Sequence, residues 1–141
     1  MTDTGSVAYG ALLLRLSLGV MFVAHALLKL LVFTLPGNAA FFESIGLPGW
    51  LGHVTFAAEF VGGLLLILGL YVRWVALALL PILLGATWAH GGNGWLFINT
   101  GGGWEYPLFL AAAAAVQGLI GNGAYALSPA IFERRPDLAR A

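Results

Sequence analysis

The sequence reads as an all-α integral membrane protein: a four-helix bundle running up, down, up and down, with both termini in the cytoplasm. Composition is the first reason. Of 141 residues, 60% are hydrophobic and only 9% charged, whereas about a quarter of the residues of a soluble domain are charged. The second is the spacing of apolar runs, four of them at roughly 9–33, 50–72, 74–89 and 107–120, against the ~20 residues that cross a bilayer as helix. The third is charge placement. Arg73, Arg134, Arg135 and Arg140 fall on the side that holds the N-terminus, while the loops 34–49 and 91–104 contain no Lys or Arg, and cytoplasmic loops are the ones enriched in basic residues.

The first run, Tyr9 to Phe33, is interrupted only by Arg15, Ser17, His25 and Lys29. It is too long and too charged for a cleaved signal peptide, whose apolar stretch is about 7–15 residues. Pro36, Gly37, Gly46, Pro48 and Gly49 then break the pattern, leaving room for one interfacial turn of helix around Phe41, Phe42 and Ile45. The second span, Trp50 to Val72, contains Glu59, and Arg73 marks a very short connection to a third span, Trp74 to Ala89, which Pro81 is expected to kink. His90 to Trp104 carries six glycines around Trp95-Leu96-Phe97-Ile98, too many for a stable helix. The fourth span opens at Glu105 and Pro107, a residue tolerated at helix starts, and ends at Gly121, Gly123 and Pro129. A polar tail from Glu133 is expected to fray, and the whole chain, 1–141, reads as one domain. Tyr9, Tyr71, Trp74 and Tyr125 would mark the inner interface, and Trp50, Trp88, Trp95, Trp104 and Tyr106 the outer one.

Several functions are excluded at this level. Six basic residues balance six acidic ones, so the net charge is zero and the basic footprint that holds nucleic acid is missing. Zero cysteines remove disulfides, iron–sulfur clusters, covalent haem and thiol catalysis. No Walker loop or serine elbow supports hydrolysis.

Ionisable residues inside spans are expensive and by default point to function. At 100° per residue, Arg15, His25 and Lys29 fall at about 0°, 280° and 320°, so one face of the first helix is polar. Counting ~1.5 Å per residue from the outer ends puts His25 and Glu59 level, about 12–14 Å deep, with Arg15 about 14 Å deeper. His25 is therefore the expected partner of Glu59, with Lys29 reaching down. His90 and Glu105 also sit at outer ends, so His25, Lys29, Glu59, His90 and Glu105 are expected to converge on one outward-facing pocket, with Tyr106 beside them as a further ligand-binding candidate. In this reading His25 and Glu59 handle protons, while Arg15, Lys29, His90, Glu105 and Tyr106 contact a ligand.

Each residue also has a plainer reading. Glu105 suits the positive end of a helix, Lys29 can snorkel to the headgroups, His90 can be satisfied at the interface, and His25 with Glu59 can be a structural pair. Phe22, Phe56 and Phe60 are level with the pocket and able to sandwich a flat ring, or simply to pack. Gly19, Ala58, Gly62, Gly63, Gly85 and Ala86 permit close helix approach. A metal held by His25, Glu59, His90 and Glu105 has suitable ligand types without metal-site spacing, so no metal is assigned. The two histidines that haem would need, His25 and His90, are offset in depth by several residues.

Leu14-Arg15-Leu16 followed by Gly19, Phe22, His25 and Lys29, then Phe41-Phe42 with Gly46-Leu47-Pro48, then Glu59 with Gly62-Gly63 and Gly69-Leu70, make a recognisable series. With Asn93-Gly94-Trp95 and Gly103-Trp104-Glu105-Tyr106-Pro107-Leu108, the chain resembles the DoxX family of small four-helix membrane proteins over nearly its whole length. The segment 121–130 is looser, with Asn122 and Pro129 as departures. The resemblance implies a bacterial inner-membrane protein linked to quinone-dependent redox systems, such as thiosulfate:quinone oxidoreductase and membrane oxidoreductase complexes. Quinone or quinol is the ligand so implied, and other membrane or peripheral redox proteins are the partners beside the bilayer itself. Two further functions stay open: an assembly subunit of a larger membrane complex without catalysis of its own, and passage of a small solute along a path from Arg15 to the outer cluster.

Overall fold

A computed structural model describes residues 4–127. Pro129, Arg134, Arg135, Arg140 and the expected polar tail lie outside the described residues. The architecture is all-α, with α1 at Thr4–Leu31, α2 at Leu35–Ser44, α3 at Trp50–Leu68, α4 at Val72–Ala89 and α5 at Glu105–Ile120, plus a short 3-10 turn at Gly91–Asn93. Three of these, α1, α3 and α4, are long and apolar enough to cross a membrane. The fourth apolar run folds as α5, whose 16 residues rise about 24 Å, short of a ~30 Å hydrocarbon layer.

Between α1 and α3 the chain forms a helix of ten residues, not the single turn expected. Thr34 makes the difference, because its hydroxyl accepts the Gly37 N–H at 3.2 Å and Pro36 sits in the first turn, where its missing N–H is harmless. Asn38, buried on α2, donates from Nδ2 to the Gly52 carbonyl at 2.7 Å and so pins α2 to the start of α3. The next boundary also moves. α3 stops at Leu68 because Gly69 adopts φ 76, and the N–H groups of Gly69 and Leu70 return to the Leu66 and Leu65 carbonyls, the pairing that closes a helix on a left-handed glycine. The connection is thus Gly69–Tyr71, and Arg73 belongs to the first turn of α4. α4 continues as one helix through Pro81.

α1 packs on α3, α4 on α5, and α3 on both α4 and α2. The buried core joins Leu18 and Phe22 of α1, Leu66 of α3, Val72, Ala76, Leu79 and Leu83 of α4, and Ala111 and Ala114 of α5. α1 and α3 touch through backbone. A Cβ on Gly19 would stand 2.8 Å from the Gly63 carbonyl oxygen, and one on Gly63 would stand 2.9 Å from that of Gly19. Gly85 has no such role, since a Cβ there would meet nothing within 4 Å. Beyond α5 the chain folds back over the end of the bundle formed by the start of α1 and the end of α3, with Ala124 N–H on the Ala8 carbonyl and Leu127 N–H on that of Leu68.

Candidate functional site

α1 carries His25 and Lys29 one turn apart, and α3 brings Glu59 to the same level by crossing α1 at the paired glycines. The Lys29 ammonium donates to Glu59 Oε2 at 2.5 Å, with side-chain exposures of 20% and 8%. Glu59 therefore pairs with Lys29, in place of the expected His25. The His25 imidazole is directed elsewhere: Nδ1 donates to the Met21 carbonyl of its own helix at 2.8 Å, which assigns the ring proton to Nδ1 and leaves Nε2 as the acceptor of the neutral ring. Its ring stacks on Tyr106 of α5, with centroids 5.9 Å apart and planes at 25°. The Tyr106 hydroxyl points to Met21 Sδ at 3.5 Å, so α5 is tied to α1 beside the ion pair.

His90 and Glu105 shape the loop between α4 and α5. His90 Nδ1 donates to the Gly101 carbonyl at 3.0 Å, and Glu105 Oε1 accepts the Phe97 N–H at 2.9 Å. Asn93 Nδ2 adds bonds to the Gly101 and Gly102 carbonyls, and Asn99 Nδ2 reaches the Asn93 carbonyl at 2.9 Å. The glycine-rich stretch is thus a stitched loop, which the sequence left open. Trp95, Phe97, Leu108 and Phe109 border a cleft of about 500 Å³ that also includes Glu105, Tyr106 and Ala112.

Two groupings emerge: the pair Lys29–Glu59, and His25 stacked on Tyr106. Glu105 meets the second through its chain neighbour, whereas His90 stays with the loop. His25, Glu59, His90 and Glu105 do not gather as a metal-ligand set among the described residues. Arg15 stands apart and is 1% exposed. It lies against Gly69, ten residues beyond Glu59 and so about 15 Å further along α3. Its Nη2 donates to the Ala124 carbonyl at 3.3 Å, while Nε and Nη1 have no hydrogen-bond partner among the described residues. Phe22 is core, and Phe56 and Phe60 stack on each other at 6.1 Å.

Sequence reasoning missed Asn38 and Gln117. Gln117 is fully buried and its Nε2 donates to the Gly121 carbonyl at 2.7 Å, ending α5. A lone amide in an alanine run was the available signal.

The DoxX family model matches residues 10–92, a stretch holding Arg15, His25, Lys29, Glu59 and His90, with Glu105 and Tyr106 beyond it. A Bacillus subtilis (strain 168) protein named "Putative oxidoreductase CatD" is 40% identical over 81 residues, which are 57% of this chain and 59% of that protein. The match thus covers less than two thirds of the relative's length. No solved structure matches the chain.

Proposed function

The chain belongs to the DoxX family of membrane proteins, and from that premise we propose that it is a membrane subunit of a quinone-linked redox system. Its outer half binds quinone or quinol and handles the protons. The observation that carries this reading is the Lys29–Glu59 ion pair, set between apolar helices within the family-matched stretch. A charged pair between apolar helices is costly, which makes it by default a candidate for a ligand or proton path. The oxidoreductase name of the Bacillus subtilis relative supports the redox setting.

A quinone takes up two protons with the two electrons that reduce it, and a quinol gives both back on oxidation, so the site needs groups that exchange protons and a flat apolar wall. The residues present fit that need. An imidazole can release a proton from one ring nitrogen and accept one on the other, and His25 holds one against Tyr106, one turn from Lys29. Glu59, its charge balanced by Lys29, is the second proton-exchanging group. Electrons come from or go to a partner redox protein, since the chain has no cysteine to hold a metal–sulfur carrier.

The placement that goes with this function is a four-helix, up-down-up-down chain in the bacterial inner membrane, with both termini cytoplasmic and the His25, Lys29 and Glu59 level facing outward. The arginine distribution supports it. Quinol turnover by the protein reconstituted with its partners tests the reading. Glu59→Gln and His25→Ala are each expected to slow turnover by about a hundredfold, the lower range for loss of a positioned proton carrier. Unchanged rates in both variants sink the proton-handling role.

One observation favours a second reading. Lys29 and Glu59 satisfy each other, and His90 and Glu105 are engaged by the loop, as suits an assembly subunit whose polar groups fix helix register. That reading expects stoichiometric co-purification with a complex whose activity survives these substitutions.

A further inference from the structure

The cleft between the 91–104 loop and α5 measures about 500 Å³, within the ~300–1,000 Å³ range of small-molecule sites. Its α5 wall includes Phe109, which is 70% exposed on the apolar side of the helix, so the cleft opens sideways, toward lipid. The loop wall is preset. Trp95 stands edge-on to Trp104 at 4.5 Å and 85°, and the loop is closed onto α5 by Glu105 N–H to the Trp95 carbonyl at 3.1 Å and by Phe97 N–H to Glu105 Oε1. Glu105 Oε1 is thereby committed, while Oε2 carries no hydrogen bond among the described residues.

The charge of the cleft selects its occupant. One carboxylate lines it and no cation does, and neither outer loop contains Lys or Arg, so a phosphate headgroup is repelled. A neutral flat ring bearing a hydroxyl suits both features: the hydroxyl donates to a carboxylate oxygen and the ring lies against aromatic side chains. We propose that this cleft binds the ring of a membrane-dissolved hydroquinone. In it, the ring hydroxyl donates to Glu105 Oε2, and the ring lies against Trp95, Phe97 and Phe109. The choice of hydroquinone among hydroxyaromatics rests on the quinone-linked function proposed above. Tyr106 lines the cleft and also stacks on His25, so the ring site and the buried polar groups meet across one side chain.

The experiment uses the full chain in nanodiscs, with decylubiquinol as probe. Tryptophan quenching reads binding, and hydrogen-exchange mass spectrometry reads location. Saturable quenching is expected, with protection at 95–112. Ala112→Trp fills the cleft from the exposed side of α5 and weakens binding about tenfold or more. Phe109→Ala, a milder change, weakens it several-fold. Glu105→Gln keeps an acceptor for the Phe97 N–H yet loses the charge, and is expected to weaken decylubiquinol about tenfold while leaving its dimethyl ether unaffected. Saturable binding that ignores Ala112→Trp and Phe109→Ala and protects the region of His25 and Glu59 overturns the cleft but leaves the quinone-linked function standing. Absence of saturable binding overturns both. Displacement of decylubiquinol from the cleft by an anionic phospholipid overturns the charge argument and the proposal with it.

Discussion

Lys29 and Glu59 illustrate why the charged residues of this chain were legible while their pairing was not. Both stood out because a charge in an apolar run must be compensated, and depth counting put Glu59 level with His25. Counting along the helix axis ignores side-chain reach. Lys29 lies about 6 Å further along α1 than His25, a gap that its four-carbon stem spans, whereas the short imidazole donates its Nδ1 proton to the Met21 carbonyl. Removing one member of the pair leaves the other uncompensated, so Lys29→Met is expected to lower stability by about 1–3 kcal/mol, discounted from the fully buried case because the lysine is partly exposed. The double variant Lys29→Met/Glu59→Leu is expected to recover most of that loss in thermal unfolding in detergent. Equal losses in the single and double variants would mean that the pair contributes packing alone. Arg15 was legible as a residue set apart, but its contact with the Ala124 carbonyl depends on the chain folding back after α5, which no helical periodicity reports.

At the scale of elements, apolar run length located the helices, and turn chemistry moved their ends. Gly69 in its left-handed conformation ended α3 earlier than hydropathy alone suggested, and the Thr34 cap turned a supposed single turn into α2. Small residues in a span signal close approach without saying which of them make it. Gly19 and Gly63 do, and Gly85 does not. Gly63→Ala is therefore expected to force α1 and α3 apart at a cost of about 1–3 kcal/mol, while Gly85→Ala, open to its surroundings, is expected to be neutral or to gain up to about 1 kcal/mol in helix propensity. Thermal unfolding of the two variants side by side checks this, and similar behaviour would contradict the assigned crossing. The loop of residues 91–104 was undecided in the sequence because its order lies in side-chain to backbone bonds from Asn93 and Asn99. Asn93→Ala is expected to speed amide exchange in 94–104 by about tenfold, corresponding to bonds worth ~1 kcal/mol, with α1 and α3 unchanged. Uniformly faster exchange across the helices would instead assign Asn93 a global role.

For the molecule as a whole, family and membrane character were readable from one sequence, because composition and the spacing of a few motifs carry them. Side-chain convergence was not, since it depends on helix rotation and on loops that close over helix ends. Orientation makes a direct prediction. The chain has no native cysteine, so a single introduced one reports without background. Gly92→Cys is expected to react with a membrane-impermeant maleimide in intact cells, and Arg73→Cys only after permeabilisation. The reverse pattern would place the Lys29–Glu59 level on the cytoplasmic side. The central question is whether the chain works with quinone, and native mass spectrometry of the protein extracted in mild detergent asks it most directly. A quinone bound in near-stoichiometric amount, together with a redox partner, is the expected result. A chain free of quinone, held in a complex whose activity is unchanged by Glu59→Gln, would contradict it.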